Sequence, residues 1–205
     1  MTRHLSAGLV LIVTCCVFTI STKAFIETAK FSSLSRLATA AGRSGSISDR
    51  ALDRAVEKLP AIVNGNVCRS TILKAGMRLL LQDVDRKSEV QAPQEWKATL
   101  AFAEHYLRHG VTCLPQDGEF WLRLAMIRSL QVPFAEEVAA LTNMSQLLAP
   151  ADPDVLEARV AFWKRLSEPA LSMTATARRA DFALLCSRAG TGVRGKVGDV
   201  CTTGN

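Results

Sequence analysis

Six cysteines are the residues of this 205-residue chain whose spacing bears most directly on its chemistry. Cys15 and Cys16 lie in an uncharged N-terminal segment, where we expect them to act as apolar side chains. The other four stand far apart in the sequence: Cys68, Cys113, Cys186 and Cys201. Because no pair has zinc-knuckle or CxxC redox spacing, we expect structural disulfides or buried thiols rather than a metal or redox centre.

A disulfide between Cys68 and Cys113 is the pairing that we expect. The apolar spacing predicts helices over residues 68–84 and 94–108, each roughly 24 Å long at about 1.5 Å per residue. If they form an antiparallel hairpin, the start of the first lies beside the end of the second, which brings the two cysteines to one end. In an oxidising compartment this bond would add about 3–4 kcal/mol of stability. The alternative is two buried thiols.

His105 and His109 have the i, i+4 spacing that metal-binding pairs often show. No glutamate follows His105, so the HExxH motif of zinc proteases is absent. Ala103 and Leu107 are expected to face the core, which at 100° per residue turns both histidines towards solvent. We therefore expect no metal site here.

A glycine-rich segment near the C-terminus is similar to the phosphate-loop pattern GxxxxGK[ST]. It runs from Gly190 to Val197, and Val197 stands where the magnesium-binding hydroxyl belongs. No strand is expected before it and no helix after it. The sequence also lacks GxSxG and a convincing pair of carboxylates in a pocket. We therefore expect no catalytic site, no cofactor and no small-molecule substrate, and we assign no ligand-binding residues.

The N-terminal segment, residues 5–22, contains no charged side chain. Its length lies near the lower limit for a membrane-spanning helix and near the upper limit for a signal-peptide core. Thr22-Lys23-Ala24 is a weak cleavage site, whereas apolar spacing that continues beyond Ala24 favours an uncleaved anchor. Both alternatives place the body in the periplasm, either single-pass in the inner membrane or released after cleavage near Ala24. A cytosolic chain is the third alternative.

The composition predicts an all-α protein. Alanine and leucine dominate, and alternating β-branched runs are scarce outside the N-terminus. The net charge of +6 comes mainly from the two ends, so the body is almost neutral. Because phosphate binding needs a basic face on the folded part, we expect no nucleic-acid partner.

Prolines, glycines and changes in composition divide the chain into four expected parts. Residues 1–24 are the signal or anchor, and 25–66 form an amphipathic helix, a linker and a short helix that stops at Pro60. Antiparallel helical hairpins are expected over 67–188, and a disordered tail over 189–205. Disorder there would disfavour a Cys186–Cys201 bond.

Start and stop signals define the helices of the hairpin region. Gly110 is expected to end a helix. Asp117 is expected to cap the next helix, and Asp152 with Pro153 to start a later one.

Residues 94–166 resemble a degenerate tetratricopeptide repeat. Pro115 and Pro150 are 35 residues apart, close to the family's period of about 34 residues. Small and large residues fall at the family's packing offsets: Ala103, Leu107, Trp121, Leu124 and Ala125. Arg128 and Arg159 depart from the pattern, since an aromatic and a small residue are expected there. The resemblance implies a short stack of helical hairpins; the alternative is an ordinary helical bundle.

The overall layout is also similar to that of small exported helical envelope proteins of proteobacteria. Together these features predict a non-enzymatic interaction module, tethered through residues 5–22, with a protein partner in or at the membrane. The alternative is an accessory factor of a membrane complex for envelope or polysaccharide assembly that acts through its anchor helix.

Overall fold

The computed structural model describes residues 2–44, 47–131, 134–198 and 201. Every regular element within these ranges is a helix, so the all-α prediction is confirmed. The chain divides into two compact units, residues 1–80 and 81–205. The first unit contains α1 to α3 and most of α4: Thr2–Ser44, Asp49–Val56, Pro60–Asn64 and Ser70–Arg86. The second contains the end of α4 and α5 to α11: Pro93–Cys113, Gly118–Ser129, Ala135–Leu148, Pro153–Trp163, Ala170–Met173, Ala175–Cys186 and Thr191–Val197.

In the first unit, helix α1 is unbroken over 43 residues and changes character along its length. Its second half buries one apolar face, with spacings of three and four residues. The residues of that face are Phe31, Leu34, Ala38 and Ala41. The Nζ of Lys58 donates a hydrogen bond to Ser33 Oγ on α1 at 3.1 Å. The second half of α1 is thus part of a packed core.

The short helices of the first unit follow the sequence signals only in part. Helix α2 begins at Asp49 and ends at Val56, before Pro60. Pro60 occupies the first turn of α3 instead of acting only as a stop, because a proline at that position removes an N–H that needs no helical partner. Asn66 follows with a φ of 48°, which turns the chain towards α4.

Gly110 does not end a helix, so this prediction was wrong. Helix α5 continues through it to Cys113. A Cβ at position 110 would lie 2.3 Å from the Phe120 ring of α6. The glycine is therefore needed for the close approach of two helices rather than for a turn.

Both aspartate start signals are confirmed. The carboxylate of Asp117 accepts the N–H of Glu119 at 3.1 Å. The carboxylate of Asp152 accepts the N–H groups of Asp154 and Val155, each at 3.1 Å. Each carboxylate satisfies N–H groups that lack partners within the first turn of a helix.

The prediction that the tail from residue 189 is disordered was wrong for Thr191–Val197, which forms helix α11 and packs against α8. Val193 enters the apolar cluster of α8 and α10. Cys186 and Cys201 are joined by a disulfide with an S–S length of 2.06 Å. A buried apolar residue, a covalent bond and contacts of α8 with Val197 and Lys196 thus hold a glycine-rich segment in place. Residues 199–200 and 202–205 of the expected tail lie outside the described residues.

Arg159, which departs from the repeat pattern, is completely buried. Its guanidinium donates to both carboxylate oxygens of Asp181, at 2.8 and 2.9 Å, and to the carbonyls of Ser145 and Ala149, at 3.2 and 3.0 Å. The indole N–H of Trp163 donates to the same carboxylate at 3.0 Å. This network joins α8 to α10 and to the end of α7.

Candidate functional site

The first half of α1 exposes an unusual amount of apolar surface. Phe18 is 71%, Ile20 69% and Phe25 74% exposed, whereas Phe31 is only 2% exposed. Exposure of such side chains to water is unfavourable by about 25 cal/mol per Å² of apolar area. By length and composition this helix could cross a membrane, a property that signal sequences share. It is one of two candidate sites.

The two cysteines of the expected Cys68–Cys113 disulfide lie in different units. Cys68 is exposed just before α4, and Cys113 is half-buried at the end of α5. Their pairing stays a prediction. Within the second unit, the Cys113 Sγ lies 3.6 Å from His109 Nε2. His105 is exposed, as expected, but His109 is half-buried.

The second candidate site is a charged cluster built by α5, α6 and α7. Arg128 of α6 is 8% exposed and donates to Glu104 of α5 at 3.1 Å and to Glu137 of α7 at 2.8 Å. Arg108 of α5 donates to the other oxygen of each carboxylate, at 2.8 and 2.6 Å. Each carboxylate therefore bridges two arginines, and the four charges sum to zero.

The arginines keep both carboxylates ionised. Partial burial alone would raise the pKa of Glu104 above its ordinary 4.5, but hydrogen bonding and the charges of Arg108 and Arg128 outweigh it and lower that pKa. The same balance of burial against the two arginines lowers the pKa of Glu137. Because both acids stay charged near neutral pH, the cluster does not suit general acid catalysis.

Phe134 is held on the outside of this cluster. Its ring centroid lies 3.9 Å from the guanidinium carbon of Arg128, which is a cation–π contact. Gln131 supports the same guanidinium by accepting a 2.7 Å hydrogen bond. Even so, 47% of Phe134 remains exposed. The result is an aromatic ring that is held in place and yet accessible.

A cleft of about 90 Å³ opens beside this ring. It is lined by residues around the starts of α7 and α9: Arg128, Ser129, Gln131, Phe134, Ala135, Val138, Leu166, Ser167, Glu168, Pro169 and Ala170. Sites for small ligands and cofactors usually occupy about 300–1,000 Å³. This cleft suits one apolar side chain instead, with the polar groups of Ser167 and Glu168 at its rim.

Only Arg128 of this site was singled out from the sequence, although Glu104 and Arg108 also carry a signal. Arg128 stood out because it replaces an expected aromatic. Glu104 and Arg108 have i, i+4 spacing, a signal for a pair on one helix. Nothing in the local pattern connects them to Glu137, because that contact depends on how α5, α6 and α7 pack.

No protein-family model matches this chain, and neither a curated protein nor a solved structure matches it. The tetratricopeptide resemblance therefore stays a prediction.

Proposed function

We propose that this protein is a membrane-tethered helical module that binds a segment of a protein partner in the cell envelope. The observation that carries the proposal is the contrast along α1. The exposed apolar residues before position 27 need a lipid environment, and the buried face from Phe31 onward belongs to a folded body. A tether joined directly to a folded body suits recognition at a membrane.

The disulfide supports export of the body. The Cys186–Cys201 bond lies in the second unit, and such bonds persist in oxidising compartments such as the periplasm. The charges that flank the apolar segment do not support this orientation, since Arg3 precedes it and Lys23 and Lys30 follow it, so the proposal of export rests on the disulfide. We therefore expect that a reporter enzyme that is active only outside the cytoplasm will be active when it is fused after residue 205.

We assign partner binding to the Phe134 cleft of the second unit. An extended partner segment would place one apolar side chain between Phe134 and the floor formed by Ala135 and Val138. Ser167 and Gln131 at the rim offer hydrogen bonds to a partner backbone. A stack of helical hairpins of the kind implied by the tetratricopeptide resemblance would present such a cleft.

Site-specific photocrosslinking in intact membranes tests this assignment. A photoreactive phenylalanine analogue at position 134 should give one discrete adduct. The matched control is position 147 near the end of α7, where the natural leucine is 70% exposed and lies outside the cleft. An Ala135→Trp change should fill the cleft and abolish the adduct while leaving the thermal midpoint nearly unchanged. Equal adducts from positions 134 and 147, or an adduct that survives A135W, would contradict the proposal.

The second candidate function is that of an accessory factor of a membrane complex that acts through the anchor helix. The exposed apolar half of α1 favours it, because a single lipid-facing helix can also contact other membrane helices. Replacing residues 1–24 with a cleavable signal separates the two candidates. Retention of the position-134 adduct by the released protein favours the cleft, and its loss favours the anchor.

A further inference from the structure

We propose that the basic side chains where α1 leaves its exposed apolar half bind the phosphate of an anionic phospholipid headgroup. The residues are Lys23 and Lys30 of α1, and Arg69 between α3 and α4. All three belong to the first unit. The inference rests on the membrane tether proposed above and names a specific contact that the tether makes.

Arg69 is fixed beside the end of the apolar segment. One of its terminal nitrogens donates to the backbone carbonyl of Ala24 at 2.9 Å, and the hydroxyl of Thr28 donates to the same oxygen at 2.7 Å. This contact holds the guanidinium within one turn of Lys23. An arginine has five N–H donors in a planar fork, so the bond to Ala24 leaves others for a phosphate.

The exposed apolar residues at this level indicate where the lipid lies. Phe25 is 74% and Ile26 58% exposed, and both come after Lys23 in the sequence. If the hydrocarbon covers them, the headgroups lie just beyond Ile26, near Lys30 and within reach of the extended side chains of Lys23 and Arg69. The side chain of Lys23 is 74% exposed, which leaves it free to extend towards phosphates while its methylenes remain in the apolar layer.

The local charge is positive. Glu27 is the acid on this stretch of α1; its carboxylate lies 3.9 Å from the Lys23 Nζ, and its side chain is only 17% exposed. The Nζ of Lys30 lies 5.2 Å from the centre of the Phe31 ring, about two turns beyond Lys23 on α1. Two lysines and Arg69 against one glutamate favour an anionic headgroup over a zwitterionic one.

Native mass spectrometry of the full-length chain in detergent tests this. The protein is given equal amounts of phosphatidylglycerol and phosphatidylcholine, and retained lipids are counted. We expect preferential retention of phosphatidylglycerol. Each basic residue removed should weaken it roughly fivefold, the effect of about one charge at a membrane surface. Lys23→Gln is the first variant because that side chain is exposed, and Arg69→Ala is the second.

Matched variants separate binding from folding. Arg69→Lys keeps the charge and should retain most of the selectivity, whereas Lys97→Gln, an exposed lysine of the second unit, should change nothing. Added inorganic phosphate should not displace the lipid, because a free anion lacks the acyl chains that hold it at Phe25. Equal retention of both lipids, or unchanged selectivity in K23Q and R69A, would overturn the inference. Failure of the chain to integrate into membranes at all would instead overturn the proposed tether.

Discussion

Two arginines of the second unit occupy positions where the repeat pattern expects other residues, and they differ in what surrounds them. Arg159 is completely buried, and its partners are a carboxylate and two backbone carbonyls. Arg128 is nearly as buried, but it lies beneath an exposed ring at the edge of a cleft. A buried charge with all its partners inside the protein contributes to folding alone. A buried charge that supports an exposed aromatic side chain can also serve recognition.

The largest expected effect comes from breaking the Arg159–Asp181 pair. Arg159→Met should destabilise the fold by about 3–5 kcal/mol, because Asp181 is left as an uncompensated buried charge. Denaturant unfolding measures this. The double variant Arg159→Met/Asp181→Leu should recover much of the loss, since replacing both charges removes the desolvation penalty. A double variant no more stable than R159M would show that the network itself, rather than the unpaired charge, determines stability.

The disulfide beside this network should have the next largest effect. Cys201→Ser should cost about 3 kcal/mol, the expectation for a closed loop of about 15 residues. Added reductant should destabilise the natural protein more than C201S, because only the natural protein has the Cys186–Cys201 bond to lose. Cys15→Ser, which removes a cysteine outside any disulfide, is the control. A much smaller cost for C201S would mean that the noncovalent contacts of α11, Val193 among them, hold it in place.

Removing Arg128 should cost less than removing Arg159. We expect about 1–2 kcal/mol for Arg128→Met, because Arg108 continues to pair both carboxylates. The position-134 adduct should nevertheless fall strongly, since Phe134 loses the guanidinium that it stacks on. R159M assayed below its unfolding transition should keep the adduct. Equal losses in both variants would remove the distinction between the two arginines.

The smallest expected effect is a dependence on acidic pH. The pKa values of Glu104 and Glu137 are lowered in the folded state, so the unfolded state binds protons first as the pH falls. Their stabilising contribution is present above about pH 4.5 and is lost as the pH falls below it. Thermal midpoints of the natural protein and of Glu104→Gln/Glu137→Gln should converge on acidification. A constant difference between them would contradict this contribution.

Local signals predicted the local features of the fold. Asp117 and Asp152 begin helices as expected because each cap needs only the N–H groups two or three residues ahead. Gly110 misled the prediction because its reason is the Phe120 ring on another helix. The order of α11 was missed for the same kind of reason, since it depends on an apolar cluster and a disulfide formed by distant residues.

In the candidate site, too, local features were visible in the sequence and features that depend on tertiary contacts were not. The departure at Arg128 was visible in the sequence, but the role of Phe134 was not, because it depends on a contact across the α6–α7 connection. The long apolar helix that could cross a membrane was the exception. Its signal is the composition of one continuous helix and requires no tertiary contact.

The unbroken course of α1 has a mechanical consequence for the proposed tether. A helix of 43 residues is about 65 Å long and, without proline or an internal break, behaves as a stiff rod. Phe31 and Leu34 on the second half of that rod are buried, and no break in α1 separates them from the exposed apolar half. If the exposed half spans a bilayer as proposed, any tilt or axial rotation of the rod is passed on to its buried half, and the membrane would set the orientation of the first unit as well as its location.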